Sequence, residues 1–245
     1  PGGSLSAVEL MVGAFYTQMR VDPKNPRDPD RDRFILSKGH AAPCYYGVLA
    51  EKGFISRDEF KEFRQLHNIL QGHPDMKKCP GIDISTGSLG QGLSCAVGMA
   101  LAGKRDHKDY MVYAVVGDGE ADEGQIWEAV MAAYRYHLDN LVVIIDNNGL
   151  QIDGTTDEIM PQLDLTKKFD AFGYDTYEID GHNMEQIMET FDKIHAAKDG
   201  RPKFINAHTV KGKGVSYMEN QLAWHGMAPN DEQYQQAMRE LEEGI

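Results

Sequence analysis

Two short polar segments that follow apolar runs have residue types that suit a phosphate and a hard cation. They read Gly-Asp-Gly-Glu-Ala-Asp-Glu-Gly at residues 117–124 and Asp-Asn-Asn-Gly-Leu-Gln-Ile-Asp-Gly at residues 146–154. Glycines on both sides of Asp118 let the backbone approach a phosphate closely, and the carboxylate can hold a cation. Taken alone, the first segment is equally consistent with a solvated turn, since Gly and Asp are ordinary turn residues.

The spacing of the two segments makes a metal–diphosphate site the more specific interpretation. Residues 120–146 separate Gly119 from Asn147, a length that fits one helix and one strand. Both segments would then meet at one edge of a parallel sheet, beyond the carboxyl ends of its strands, where such sheets bind ligands. A carboxylate, an amide oxygen and a backbone carbonyl would supply three oxygens, and Mg²⁺ usually takes its other ligands from diphosphate and water.

The rest of the chain predicts the sheet that would position these segments. Short apolar strands are expected at residues 33–37, 111–116, 141–145, 177–180 and 203–207. They alternate with helical patterns, which predicts an α/β fold: a doubly wound, mostly parallel sheet with helices on both faces. No internal boundary is evident before Gly214, and we expect residues 1–245 to form a single domain.

Helices are expected between and around these strands. The helical patterns span residues 4–19, 93–102, 125–136, 184–197 and 231–242. Another helix follows His40 and ends at Gly53, and Ser56 with Glu59 predicts a capping box that opens a further helix. Residues 71–85 lack periodicity and predict a long loop, whereas Met131 and Tyr134 have the helical spacing of core residues.

Composition excludes several classes of protein. With 245 residues, 41% apolar and 26% charged, the chain is a globular protein rather than a disordered or fibrous one. A formal net charge of −13 argues against nucleic-acid binding, which needs a cationic face. Three cysteines without disulfide or zinc spacing indicate a reducing cytoplasm. No apolar run approaches the roughly 18 residues of a membrane span, and no signal peptide opens the chain.

Several motifs together resemble transketolase, in the same order along the chain. They are Leu-Ser-Lys-Gly-His-Ala-Ala-Pro at 36–43, Gln-Gly-His-Pro-Asp at 71–75, Ser-Thr-Gly-Ser-Leu-Gly-Gln-Gly-Leu-Ser at 85–94, the Gly-Asp-Gly and Asn-Asn pair, and Trp-His-Gly at 224–226. The resemblance runs from Pro1 to about Pro229. It implies the thiamine-diphosphate-binding fold, transfer of a two-carbon ketol unit from a ketose phosphate to an aldose phosphate, and the cofactors thiamine diphosphate and Mg²⁺, for which Ca²⁺ can substitute.

The resemblance also implies a role for each matching position around the cofactor. Asp118 and Asn148 resemble the family's metal-ligand side chains, and Leu150 the residue that lends a backbone carbonyl. Residues 87–89 resemble the segment against the aminopyrimidine, and Lys211 a lysine that some members use against the diphosphate. The cofactor-binding residues expected on this basis are His40, Gly87, Ser88, Leu89, Gly117, Asp118, Gly119, Glu120, Asn148, Lys211 and His225.

Four residues are expected to be catalytic. His40, His73 and His225 resemble the family's active-site histidines around the thiazolium and the substrate carbonyl, and histidine suits proton transfer near neutral pH. Glu123 resembles an acidic residue that links two cofactor sites across a dimer. Structural roles are expected for His67, His107, His137 and His195, while His182 and His208 remain open.

Two features of the family have no counterpart in residues 1–245. The family carries a substrate-side histidine just before the position of Pro1, and the chain starts there without a methionine, so we expect further sequence upstream. The family's cofactor-activating glutamate and the aromatic residues that stack on the aminopyrimidine lie on a second α/β domain. The resemblance therefore implies the N-terminal subunit of a split transketolase that needs a separate C-terminal subunit, as a cytoplasmic α2β2 heterotetramer of the pentose phosphate pathway.

Other functions are weighed against this one. The chain could be the α subunit of a 2-oxo acid dehydrogenase, or a transketolase for an unusual sugar phosphate. The Ser-Lys-Gly-His and Gly-His-Pro segments favour transketolase over the dehydrogenase. A non-catalytic module that only binds the cofactor is a third possibility, and the intact metal pair with three histidines argues against it.

Overall fold

The computed structural model describes residues 1–197 and 199–244, and five strands in this part form one sheet. The strands are β1 (Arg33–Leu36), β2 (Val112–Gly117), β3 (Leu141–Asn147), β4 (Asp175–Asp180) and β5 (Lys203–His208). Their order across the sheet is β1-β2-β3-β5-β4, and each of these pairings is parallel. The predicted α/β fold is confirmed, since every strand lies within two residues of its expected position.

Helices cover both faces of this sheet. Within the described residues they are α1 (Gly2–Leu5), α2 (Val8–Gly13), α3 (Ala42–Lys52), α4 (Gln91–Arg105), α5 (Gly124–Arg135), α6 (Thr156–Ile159), α7 (Leu165–Ala171), α8 (Met184–Ala196) and α9 (Asp231–Glu243). Side chains of β2 alternate between two cores: Tyr113 and Val115 pack with α2, α3 and α8, whereas Val112 and Ala114 pack with α4, α5 and α7. Burial on both faces explains why the strands are continuously apolar.

Two predictions of helices in the first 62 residues are wrong. The helix expected at residues 4–19 is divided into α1, α2 and a π-helical turn at Ala14–Gln18. The predicted helix is interrupted at Ser6. The hydroxyl of Ser6 makes a long-range contact there, since it donates a hydrogen bond to Asp146 at 2.6 Å. At Ser56 no capping box forms: the hydroxyl accepts from the Asp58 N–H, and a 3₁₀ helix, Arg57–Glu62, follows.

The core prediction for α5 is also wrong. Met131 and Tyr134 are 52% and 45% exposed, and the buried stripe consists of smaller residues, among them Ala129 and Ala133. Because α5 packs directly against α4, small side chains face the helix–helix contact. The large side chains consequently lie on the outer side.

The described residues contain no helix with the length and apolar character needed to cross a membrane. Cys44, Cys79 and Cys95 all lie in this part and carry free thiols. Burial raises the pKa of both the Cys44 and the Cys79 thiol to about 12, so neither is a reactive thiolate at neutral pH.

Candidate active site

A cavity of about 290 Å³ lies beyond the carboxyl ends of β1, β2 and β3 and beside the segment after β5. The expected site residues that line it are His40, His73, Gly87, Leu89, Gly117, Asp118, Gly119, Glu120, Asn148, Leu150, Lys211 and His225. Ser88 and Glu123 do not line it: Ser88 is exposed and its carbonyl accepts the Gln91 N–H, and Glu123 is exposed at the start of α5. The structure thus brings together all but two of the expected residues.

The three expected catalytic histidines lie where this cavity joins a larger one of about 690 Å³. His40, His73 and His225 line both cavities, and the rings of His40 and His225 have centroids 4.8 Å apart. The larger cavity continues past Arg64 and Met227 to the surface. A ligand that reached from one cavity into the other would pass the histidines.

Two glycines allow the chain segments around these histidines to approach closely. Gly87 has a φ of +135°, and a Cβ there would lie 2.7 Å from Cδ2 of His73. A Cβ on Gly39 would lie 2.7 Å from the backbone nitrogen of Gly87. Any larger residue at either position would displace His73 or separate the two segments.

The expected metal ligands supply oxygen atoms to the smaller cavity. Asp118 is 3% exposed, and its carboxylate accepts the N–H groups of Gly119 at 2.8 Å and Gly149 at 2.6 Å. The amide oxygen of Asn148 accepts the Leu150 N–H at 3.2 Å, so both side chains face the same loop. A carboxylate, an amide oxygen and the Leu150 carbonyl form a donor set of the kind that Mg²⁺ prefers.

The electrostatics of Asp118 fit a bound cation. Burial, with Asp146 nearby, raises the pKa of Asp118 to about 6, and no ion pair to Asp118 exists among residues 1–197 and 199–244. A divalent cation would supply the missing positive charge. The same described residues contain no group of three or more His, Cys, Asp or Glu side chains arranged for a metal, so a cation here would depend on amide and carbonyl oxygens and on its ligand.

A buried ion pair that the sequence pattern did not reveal includes one residue of the cavity wall, Lys38. Lys38 and Asp146 are 1% and 0% exposed, and their side chains are joined by a hydrogen bond. Burial alone would raise the pKa of Asp146, but Lys38 and the hydroxyls of Ser6 and Thr209 lower it below its usual value. In the sequence, the lysine follows one strand and the aspartate ends another. Their spacing along the chain does not show that the two side chains form an ion pair.

Lys211 places a second positive charge at the cavity. It is 2% exposed, and its Nζ donates to the Leu150 carbonyl at 3.0 Å and lies 2.9 Å from Nδ1 of His225. Burial and the nearby Lys38 lower the pKa of Lys211 to about 8. An anionic group in the cavity would stabilise the charged form of both lysines, which suits a diphosphate.

Glu120 lines the cavity, but its carboxylate is already occupied by hydrogen bonds. It accepts the Ser37 hydroxyl and the N–H groups of Gly90 at 2.9 Å and Gly117 at 3.1 Å. These donors come from the segment after β1, the start of α4 and the end of β2. Glu120 therefore holds these three segments together, and its contact with the cofactor stays a prediction.

His40 and His225 are neutral in this environment. Burial, followed by the charges of neighbouring groups, lowers the pKa of His40 to about 3 and that of His225 to about 4. At neutral pH each ring therefore has one unprotonated nitrogen, and that of His225 is Nδ1, which accepts a hydrogen bond from the Lys211 ammonium. His40 is thus the ring suited to accept a proton from a substrate hydroxyl, and Nε2–H of His225 can donate to the oxygen that loses it.

We expect acid to destabilise the cofactor-free chain through His40. The unfolded residue titrates near pH 6.5, so between about pH 6.5 and 3 the unfolded chain binds a proton that the folded chain excludes. Stability is consequently lost as the pH falls through this range, by at most about 2 kcal/mol at about pH 5. His40→Gln should lose less stability than the wild type between about pH 7.5 and 5 in denaturant unfolding.

The exposed His67 provides the control for this measurement. His67→Gln should keep the wild-type dependence on pH. An equal loss of stability on acidification in the wild type and in His40→Gln would contradict the assignment.

The fold and the cavity define an α/β protein with a candidate ligand site at one edge of its parallel sheet. Comparison with known proteins identifies the family: the model for the transketolase, thiamine diphosphate binding domain matches residues 1–242. The chain belongs to this family, as the motifs predicted.

Individual relatives agree with this assignment. The chain is 47% identical, over 100% of its length and 86% of the relative, to one subunit of an apulose-4-phosphate transketolase of Phocaeicola vulgatus. It is 45% identical, over 98% of its length and 87% of the relative, to one subunit of a 6-deoxy-6-sulfo-D-fructose transketolase of Clostridium sp.. The crystal structure of Campylobacter jejuni transketolase matches with a TM-score of 0.92 and 31% identity, over 99% of this chain and 39% of that one.

Proposed function

We propose that the chain is the N-terminal, thiamine-diphosphate-binding subunit of a split transketolase, which transfers a two-carbon ketol unit between sugars with anionic tails. The observation that carries the proposal is the convergence of three oxygen donors, a buried lysine and three histidines on two joined cavities. Relatives matched over most of their own length are named as transketolase subunits, which supports the split arrangement. We further propose that residues 1–245 form one domain of this type.

The residues divide into a cofactor group and a substrate group. Asp118, Asn148 and the Leu150 carbonyl would hold Mg²⁺, and Lys211 would neutralise the diphosphate. When bound, thiamine diphosphate supplies a nucleophilic carbon and an electron sink. His40 would accept the proton of a substrate hydroxyl, and His225 would stabilise the oxygen that loses it.

We propose that the substrate is a sugar outside the common pentose phosphates. Apulose 4-phosphate and 6-deoxy-6-sulfofructose, in the names of the two relatives, are uncommon ketoses with a phosphate or a sulfonate. The same names favour a ketol transferase over a 2-oxo acid dehydrogenase subunit. A role in the pentose phosphate pathway, substitution of Mg²⁺ by Ca²⁺ and a cytoplasmic location remain predictions.

Asp118→Ala is expected to abolish Mg²⁺-dependent binding of thiamine diphosphate and to leave the fold intact. The buried carboxylate is the charged member of the donor set, so its loss leaves the cation and the diphosphate poorly neutralised. Titration of the protein with thiamine diphosphate at saturating Mg²⁺ measures the effect. Unchanged affinity would rule out the assignment.

Two further variants sharpen this test. Asp118→Asn keeps an oxygen that can accept the Gly149 N–H but removes the charge, so it should also lose metal-dependent affinity. Asp157→Ala removes an exposed carboxylate outside both cavities and should bind the cofactor like the wild type. Equal losses in Asp118→Ala and Asp157→Ala would indicate a general charge effect.

A further inference from the structure

Lys211 lines the cavity and belongs to the backbone segment that follows the end of β5. Thr209 precedes it by two residues, and its hydroxyl donates to Asp146, the partner of Lys38. Val210 lies between Thr209 and Lys211, and its backbone N–H has a different partner from the Thr209 hydroxyl. That N–H donates to Nε2 of His182 at 2.8 Å.

His182 belongs to a turn that packs tightly against this segment. The Gly181 N–H donates to the His208 carbonyl at 2.8 Å, and a Cβ on Gly181 would lie 2.4 Å from Cγ2 of Thr209. The turn itself is fixed by the His182 N–H, which donates to the Asp180 carboxylate at 2.9 Å. The imidazole is thereby directed at Val210.

The hydrogen bond to Val210 determines the tautomer of His182. Because Nε2 accepts an N–H, the proton of the neutral ring is on Nδ1. Nδ1 lies 3.1 Å from Oε2 of Glu9, a residue of α2. Both atoms are buried, and neither forms a hydrogen bond with any group among residues 1–197 and 199–244, so their contact is electrostatic. A buried polar atom without a hydrogen bond is costly, and the close approach of the two atoms offsets part of that cost.

We propose that Glu9 and His182 form a positioning pair that fixes the backbone of Val210 and thereby holds Lys211 in the cofactor-binding cavity. The inference rests on the proposed function, because Lys211 is assigned there to the diphosphate. The pair does not touch the cavity. It acts through one backbone hydrogen bond, and it connects α2 and the turn before α8 to the cofactor site.

Two variants of His182 differ only in whether they can reach Val210. The amide of His182→Gln extends to the place of Nε2, so it can accept the Val210 N–H and donate to Glu9. The amide of His182→Asn ends near the place of Nδ1, so it can face Glu9 but cannot reach Val210. His208→Leu is the matched control, because His208 also pairs with a glutamate, Glu178, but on the exposed side of the same segment.

The experiment uses the chain in complex with its partner and has two readouts. The affinity for thiamine diphosphate at saturating Mg²⁺ reports on cofactor binding. The rate of reductive methylation of Lys211 without cofactor reports on its placement, since the buried ammonium is shielded. We expect His182→Asn to bind about tenfold more weakly, the loss of one buried hydrogen bond, and to be methylated faster. His182→Gln should stay within about threefold of the wild type, and His208→Leu within about twofold.

The outcomes separate the two hypotheses. If the wild type does not bind thiamine diphosphate, the proposed function fails, and faster methylation in His182→Asn alone would still support the positioning pair. Unchanged methylation in His182→Asn overturns the pair, as do equal losses in His182→Asn and His182→Gln. If His182→Asn does not fold, the bond to Val210 is part of the fold and the proposal is wrong. Glu9→Ala should weaken binding less than His182→Asn and add nothing to it in the double variant.

Discussion

His225→Ala and His40→Ala are each expected to lower the turnover of the reconstituted enzyme by roughly 10²–10⁴-fold. The two rings lie 4.8 Å apart between the two cavities, and both are neutral at the pH of the reaction. His40 can therefore accept a proton from a substrate hydroxyl, and His225, whose Nδ1 faces Lys211, can donate a hydrogen bond from Nε2 to the developing oxyanion. Alanine removes that function and leaves an unfilled space beside the remaining ring.

The distribution of the effect between kcat and KM separates catalysis from binding. A loss mainly in kcat indicates a contact made in the transition state, whereas a loss in KM alone indicates uniform binding. His225→Ala has a second consequence, because Nδ1 of His225 lies 2.9 Å from Nζ of Lys211. The affinity for thiamine diphosphate should therefore be measured alongside turnover in this variant.

The control for both substitutions is His67→Ala, at an exposed histidine that lines neither cavity. It should retain wild-type turnover. A decrease of less than about threefold for both His40→Ala and His225→Ala would mean that these histidines are structural, and that proton transfer is performed by other groups.

The sheet could be predicted from the sequence because its strands are buried on both faces and are therefore continuously apolar. The two polar segments could be placed at its edge because parallel strands end on the same side. The prediction failed where a local pattern competed with a distant contact. Ser6 interrupts the N-terminal helix while it donates to Asp146, which lies 140 residues further along the chain.

Long-range pairing also explains what was missed in the site. Lys38 and Asp146 are 108 residues apart, and Glu120 accepts hydrogen bonds from three separate segments of the chain. Sequence spacing identifies residues at the end of each strand, but it does not say which of them face the ligand and which face each other. The sequence of α5 likewise does not show which of its faces is buried. Ala129 and Ala133 are buried because α5 packs against another helix, α4.

The chain alone is expected to be inert in ketol transfer and to become active on mixing with a separate C-terminal subunit. It spans 86% of a relative whose name makes it one subunit of a transketolase, but only 39% of the Campylobacter jejuni transketolase chain. In the family the resemblance implies, a glutamate on a second domain protonates the aminopyrimidine of the cofactor. Residues 1–242 match the thiamine diphosphate binding domain of the family, so we expect a partner subunit to supply the remaining groups.

The division of the active site between two chains also leads us to expect a particular assembly of the subunits. The larger of the two cavities is lined by Met227, whose side chain is 53% exposed. We expect the partner to bind with an interface of the size of obligate complexes, above roughly 2,000 Å². Two such pairs related by a two-fold axis would form an α2β2 heterotetramer, since closed two-fold symmetry is the common arrangement. Light scattering of the mixed subunits measures this stoichiometry.

The decisive measurement is a ketol-transfer assay on the purified chain with thiamine diphosphate and Mg²⁺, before and after the partner is added. Activity should be undetectable before mixing and should saturate at equimolar subunits, because each active site needs groups from both chains. The His40→Ala chain is the control for assembly: it should form the same complex and remain nearly inactive. Substantial turnover by the wild-type chain without a partner would contradict the split-subunit hypothesis, since the aminopyrimidine would then be activated by a group within residues 1–245.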